Sequence, residues 1–249
     1  MRNQILIYKD YGCADTTILE QELRAYFIPK KCKIDLVDAT SIIKDNALNQ
    51  NVLAFFMPGG ASTPYRHKLE TLGNDKIRRY IQNGGIYYGI CAGAYYACRQ
   101  TEFEKDIPES SIVEEYKLDL IDAKAIGTLY KELGIEPFSK NPTSSAAVEL
   151  LDNEGNIITT HYHGGPYFEL AQTENIEVLA RYNLQEFKPA VISCPYGRGK
   201  VILSGVHYED RGDVLAKVIS NTFQTAQILQ KNEASRRLFF NKLMSLTGK

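Results

Sequence analysis

Short apolar runs separated by helical spacings open the chain. Gln4 to Lys9 (QILIYK) predicts a first strand. Asp15-Thr16-Thr17 offers a helix cap, and Ile18, Leu19, Leu23 and Phe27 follow on one helical face. Lys33 to Val37 predicts a second strand. Asn51 to Met57 (NVLAFFM) predicts a third, apolar enough to be buried on both faces, and it runs into Pro58-Gly59-Gly60-Ala61. Asp75 to Gln82 predicts a helix, stopped by Asn83-Gly84-Gly85. Gly85 to Ile90 predicts a fourth strand that ends in a sharp turn at Cys91. The helix after it is expected to run through Ala94 to Glu104. This β-α-β-β-α-β order predicts an α/β fold, a parallel sheet with helices on both faces.

The second half alternates more. Glu102 to Glu115 is acid-rich and predicts a surface excursion. Leu120 to Tyr130 and Ala146 to Tyr162 predict strands, with a hairpin turn at Asn153-Glu154-Gly155-Asn156. Glu177 to Tyr182 predicts another strand. Ala190 to Cys194 and Val201 to Ser204 flank a hairpin tip, Pro195-Tyr196-Gly197-Arg198-Gly199-Lys200. Gly205-Val206-His207-Tyr208-Glu209 follows the last strand directly. From Asp213 the pattern is helical and ends in a basic, amphipathic tail with Arg236, Arg237 and Lys242. With no linker, repeat or low-complexity segment, a single domain over residues 1–249 is expected, its helical tail spanning about 213–249.

Composition narrows the function classes. The 249 residues are 44% hydrophobic and 24% charged, and the formal net charge of −1 leaves no electrostatic footprint for nucleic acid or an anionic membrane. No apolar run approaches a membrane span. Five scattered cysteines (13, 32, 91, 98, 194) with no C-x-x-C pair argue against a disulfide framework. A reduced, cytoplasmic setting is the expectation.

The chemistry gathers around Cys91. Gly89 and Gly93 stand two residues on either side of it. A nucleophile elbow needs small residues there, because strand and helix backbones pass close together. The helix-start N–H groups beside the sulfur favour a thiolate and can bind an oxyanion. A buried cysteine in a glycine-containing turn is the competing reading. A nucleophile also needs a base and a group to orient that base. His207 follows a strand, where the loops of a doubly wound sheet gather, and Glu209 lies two residues on. A surface histidine near an unrelated acid is the alternative. Gly59 and Gly60 let backbone amides approach a ligand, so one of their N–H groups with that of Ala92 would make a two-donor oxyanion hole. His161 and His163, at i and i+2 on a strand, can share a face and bind zinc. A third ligand is not evident in the sequence, and no metal or cofactor is assigned. Cys98 is expected to be packed on the elbow helix.

Pro-Gly-Gly after a buried strand, Gly-Ile-Cys-Ala-Gly about thirty residues later, and His-Tyr-Glu after a late strand resemble the class I glutamine amidotransferases. The resemblance implies a flavodoxin-like, three-layer αβα sandwich with a mostly parallel sheet. It implies Cys91 as nucleophile, His207 as base and Glu209 as its orienter, with Gly59, Gly60 and Ala92 at the oxyanion hole. A closer resemblance is to the amidotransferase-like N-terminal domain of biotin–protein ligases, in stand-alone form. It rests on Met57-Pro58-Gly59-Gly60-Ala61 with Pro64-Tyr65, Gly89 to Tyr95, Gly164-Gly165, and Gly197-Arg198-Gly199-Lys200-Val201 leading to His207. It implies that Gly164 and Gly165 line the neighbourhood of the cysteine.

Two positions depart from the amidotransferase pattern. Tyr95 stands four residues past the cysteine, where glutamine is usual, and Tyr208 stands where proline is usual between the histidine and glutamate. The first puts Tyr95 in the substrate pocket and turns the expectation away from glutamine. Gly197-Arg198-Gly199-Lys200 resembles the ligase loop that binds biotinyl-adenylate, but its setting is a hairpin, so no ligase activity is carried over. The sequence therefore supports a cysteine-dependent amidase or amidotransferase-like hydrolase of a small amide, acting through a thioester. The alternative is a non-catalytic module that binds a small amide or carboxylate. No protein partner is read from the sequence.

Overall fold

The all-apolar strand β3 explains the layering. In the computed structural model, which describes residues 2–115, 118–171, 175–218 and 223–248, β3 (Val52–Met57) is buried at every position. It lies inside a nine-stranded sheet with β1 (Gln4–Tyr8), β2 (Lys33–Val37) and β4 (Ile86–Ile90) on its parallel side. Successive residues of β1 feed opposite faces. Leu6 and Tyr8 join one core with Phe55, Met57 and Tyr87, while Ile5 and Ile7 join the other with Phe56 and Tyr88.

Helices cover both faces, as the pattern predicts. Helix α1 (Thr17–Phe27) places Leu19, Leu23 and Phe27 in the second core; Thr16 is its N-cap without a side-chain cap bond, and Asp15 before it accepts the Thr17 N–H at 2.9 Å. The short α2 (Ala39–Lys44) was not foreseen. Asp38 caps it through the Ser41 N–H at 2.7 Å. Helix α3 (Ser62–Gln82) extends the expected 75–82 helix toward its N-terminus across a kink at Glu70, where φ is 45°.

The elbow helix is a correction. Helix α4 spans only Ala92–Ala97, and the chain turns extended at Cys98 into β5 (Cys98–Phe103). The helix-forming residues Arg99, Gln100 and Glu102 sit instead in a second, four-stranded sheet, so ladder pairing overrides their propensity. Cys98 is buried as expected, but on a strand. Thr101 Oγ1 donates to the Tyr95 carbonyl at 3.1 Å and so takes up a carbonyl near the end of α4. The expected surface excursion at 102–115 is also corrected, because β6 (Ile112–Glu115) pairs with β5 and Glu104 is buried.

The second sheet runs in the order β10-β7-β5-β6, with β7 at Ile121–Gly127 and then, past the short helix α5 (Tyr130–Leu133), β10 at Tyr167–Leu170. It packs outside α4 through Ala123, Ala125 and Phe168. The main sheet continues with β8 (Ala146–Asp152), β9 (Ile157–Tyr162), β11 (Glu177–Tyr182), β12 (Pro189–Tyr196) and β13 (Gly199–Ser204), in the order β4-β13-β12-β11-β8-β9. Only β12 and β8 oppose the direction of the other strands, so this α/β sheet is mixed and mostly parallel. Both predicted hairpins form: β8–β9 turns through Gly155 (φ 86°), and β12–β13 through Gly197 (φ 60°). His207, just past β13, bridges to His161 on β9, so the antiparallel half curls back toward its own start.

The tail is helical where it is described, as α6 (Gly212–Val218), α7 (Phe223–Lys231) and α8 (Glu233–Ser245). Residues 219–222 of the predicted tail, and the two terminal residues of the 1–249 span, lie outside the described residues. Helix α8 packs Phe239, Phe240 and Leu243 into the second core, and Tyr88 Oη on β4 donates to the Leu243 carbonyl at 2.8 Å. Among the described residues, no helix is long and apolar enough to cross a membrane.

Candidate active site

Cys91 follows β4 in the strained conformation that an elbow requires. Its φ is 49° and its ψ −105°, in the left-handed half of backbone space that side-chain-bearing residues avoid. Such a conformation costs about 1–3 kcal/mol and survives only where its surroundings enforce it. Here the Cys91 N–H donates to Ser204 O at 2.9 Å, and Cys91 O accepts from Ala94 and Tyr95 as the first turn of α4. Close packing holds the helix start. A Cβ on Gly93 would lie 2.1 Å from the Met57 carbonyl oxygen. Gly93→Ala is therefore expected to lower stability by about 1–3 kcal/mol or more through forced backbone displacement, read as a lower denaturation midpoint in urea.

The chain after β13 delivers the second group. His207 Nδ1 donates to Glu209 Oε1 at 2.9 Å, and both side chains are buried. The His-x-Glu spacing thus makes the contact expected of it. His207 Nε2 has no hydrogen-bond partner among the described residues. The ring faces the elbow: a Cβ on Gly59 would meet His207 Cε1 at 2.8 Å and Cys91 Cβ at 3.7 Å. Gly59 is thus the bare spot that lets imidazole and thiol share one space. The Cys91 thiol itself donates to the His163 carbonyl at 3.5 Å. Burial opposes the charged imidazole, but the Glu209 carboxylate and the adjacent Cys91 hold His207 well above its ordinary value.

Candidate oxyanion donors stand beside the sulfur. Ala92 is the first residue of α4, so its N–H has no intrahelical acceptor. Gly60, at φ 137°, turns past Gly12, and the next N–H, that of Ala61, donates to Gly12 O at 2.8 Å. Among the described residues, neither the Ala92 nor the Gly60 N–H donates to another loop or cap carbonyl. Tyr95 lines the same cavity and donates its hydroxyl to Gly164 O at 3.2 Å. Gly164 lines it too. Gly165 lies just behind, where a Cβ would meet Gly205 O at 2.0 Å, and so lets the 164–166 turn approach the His207 segment.

The structure adds a second histidine–carboxylate pair that the sequence reading did not find. His161 Nδ1 meets Asp210 Oδ2 at 2.6 Å, and Asp210 Oδ2 lies 3.9 Å from His207 Nδ1. Burial raises the Asp210 carboxyl, but the hydrogen bond from His161 and the neighbouring histidine charges together outweigh it and hold the group below its usual range. His161 Nε2 is buried without a partner among the described residues. The rings of His161, His163 and His207 lie 5.7–6.2 Å apart, centre to centre. His163 donates Nε2–H to Pro142 O at 2.8 Å, and burial, then the nearby His207 charge, push it down to about 4. It is therefore neutral at pH 7, with Nδ1 as an acceptor. The adjacency of Asp210 to Glu209, together with His161-x-His163, was the available signal. The strand-to-loop pairing that unites them was not. Ligand atoms of His207, Glu209 and Asp210 lie within 4.8 Å of one another, but His207 Nδ1 is engaged by Glu209 and Asp210 by His161.

A cavity of about 420 Å³ opens over the sulfur. A polar cleft of about 530 Å³ lies at the opposite, N-terminal ends of the strands. Two of its arginines are spent on structure: Arg2 donates to the Val52 and Asn83 carbonyls, and Arg198 to Asn83 Oδ1. Cys91, His207 and Glu209 are not part of it.

Similarity to known proteins follows the same outline. An uncharacterized protein of Chlamydia muridarum is 30% identical over 236 residues, covering 93% of this chain and 90% of that protein. A biotin–protein ligase of Schizosaccharomyces pombe is 26% identical over 212 residues, covering 82% of this chain but only 33% of the ligase. Among solved structures, a glutamine amidotransferase superposes with a TM-score of 0.61 at 18% identity, covering 98% of this chain and 99% of that one. Another, from Thermotoga maritima, gives 0.56 at 11% identity with complete coverage of both, so the fold is amidotransferase-like. The family described as "Biotin-protein ligase, N terminal" matches residues 3–248, and the chain belongs to that family.

Proposed function

We propose that this protein is a cysteine-dependent hydrolase or acyl transferase acting on a small amide through a thioester. The observation that carries the reading is the His207–Glu209 bond at 2.9 Å, which leaves His207 Nε2 bare beside an elbow cysteine. In the reactive form the thiol proton has already passed to Nε2, and Cys91 Sγ attacks the carbonyl carbon as a thiolate beside the imidazolium that Glu209 stabilises. The tetrahedral oxyanion sits against the Ala92 and Gly60 N–H groups. His207 returns the proton to the leaving amine, the C–N bond breaks, and a thioester remains. Water, deprotonated by the same nitrogen, then releases the acid and restores the thiol.

Incubation with an activated ester of a small acid, followed by peptide mass spectrometry, tests this. An acyl adduct on the Cys91 peptide that decays with time is expected. A chain that never carries one while Cys91 still alkylates would leave the pocket as a binding module. The hydroxyl of Tyr95 on Gly164 O favours that second reading to one degree only, by narrowing the cavity where a glutamine side chain stands in amidotransferases.

A further inference from the structure

The cavity over Cys91 has a chemical character that its thiol does not dictate. Tyr95, Phe103 and Phe138 form one wall in edge contacts, with ring centres 5.9 and 6.1 Å apart, and Phe138 leans on His163 at 5.2 Å. Ile112 continues the wall. Ser62 and Thr63 add uncharged hydroxyls to the cavity and His163 Nδ1 is left as an acceptor, but the donors of this wall are already committed. Tyr95 Oη donates to Gly164 O, Thr101 Oγ1 to Tyr95 O, and His163 Nε2 to Pro142 O. Among the described residues, no Asp, Glu, Lys or Arg lines the cavity.

A carboxylate close behind the wall is turned away from the cavity. Glu104 is buried, and Oε1 accepts from the Phe138 N–H at 2.6 Å and from Thr128 Oγ1 at 2.9 Å. Oε2 accepts from the Ser139 N–H at 3.2 Å. This charge is spent on fixing Phe138 in the wall rather than on meeting a ligand. The one cation of the cavity, His207, already has Glu209.

We propose that the cavity selects an uncharged, largely apolar acyl group, aromatic or aliphatic, and rejects free glutamine and other zwitterionic amides. This rests on Cys91 being the reacting group, as argued above. An α-ammonium and an α-carboxylate carried into the cavity would lose their water and gain no counter-charge, which is among the costliest burials a site can impose. An apolar body of similar length would gain contact with three rings and shed its hydration shell.

Two diazomethyl ketones with the same reacting group test the proposal: that of phenylpropanoic acid, and the γ-diazomethyl ketone of L-glutamate. In each, Sγ–C forms, C–N breaks, dinitrogen leaves, and the thiol proton ends on the former diazo carbon. Alkylation of Cys91 by the phenyl reagent is expected to be at least about 100-fold faster. Phe103→Ala is expected to lower that rate about 10-fold relative to iodoacetamide in the same variant. Equal rates, or a faster glutamate reagent, would overturn the proposal, as would iodoacetamide alkylation with neither ketone reacting. Binding to Cys91→Ser, which needs no reactive thiol, separates this from the reading beneath it. Phenylpropanamide is expected to bind measurably by calorimetry and L-glutamine not to, and the reverse order would overturn the selectivity whatever becomes of the thiol.

Discussion

Arg236→Ala is expected to lower the folding free energy by about 3–5 kcal/mol, measured by urea denaturation. Arg236 and Glu22 are each only 1% exposed, and they pair at 3.0 Å between α8 and α1. The guanidinium also donates Nε–H to Glu233 at 2.8 Å and Nη1–H to the Tyr208 carbonyl at 2.8 Å. Truncation would leave the buried Glu22 paired only with the more exposed Arg237, at 2.9 Å, and Arg211, at 3.7 Å. It would also leave a buried carbonyl without its donor. The cost is that of burial left only partly compensated, with the Tyr208 carbonyl unpaired, rather than the net worth of the pair. Glu22→Leu combined with Arg236→Met should therefore recover much of the loss, since apolar replacement of both partners is often neutral. A single variant within about 1 kcal/mol of the wild type would show that the pair is not dry.

The same residue ties stability to the site. Tyr208 lies between His207 and Glu209, so Arg236 holds from behind the loop that carries both. This link was not readable from the sequence, where Arg236 is one of several basic residues in an amphipathic tail and Glu22 a polar position on α1. Their 214-residue separation carries no local signal. The elbow was readable because its requirements are local: glycine two residues before and after a cysteine, between an apolar strand and a helix start. His207 and Glu209 were readable for the same reason. His161 and Asp210, 49 residues apart, meet only because the sheet curls until β9 touches the chain beyond β13. The misread helix past Ala97 failed in the complementary way. Arg99, Gln100 and Glu102 favour a helix in isolation, and pairing with β7 and β6 makes them a strand. Tyr95 marked the pocket in the sequence, but its aromatic partners Phe103 and Phe138 come from that misread stretch and from a loop.

Cys91→Ala and His207→Ala are each expected to reduce turnover of a cleavable apolar amide or ester by at least about 1000-fold, with the double variant no worse than either. The groups act in one proton transfer, so removing either ends it, and the loss does not add. Ligand binding to Cys91→Ala should persist, because the wall of Tyr95, Phe103 and Phe138 is untouched. Glu209→Gln is informative in a different way. It keeps the shape but removes the carboxylate that, with Cys91, keeps His207 charged against burial. The His207 ring-proton resonance in that variant should titrate at lower pH than in the wild type. The sign for stability follows. A native value above the ordinary 6.5 means the folded state holds the proton more tightly, so this contribution is full below about pH 6.5 and is lost as pH rises through the native value. Glu209→Gln should flatten that decline. An unchanged His207 titration would show that Glu209 does not govern the base. Additive losses for Cys91 and His207 would show that the two do not share a proton, and the thioester route would fall with that result.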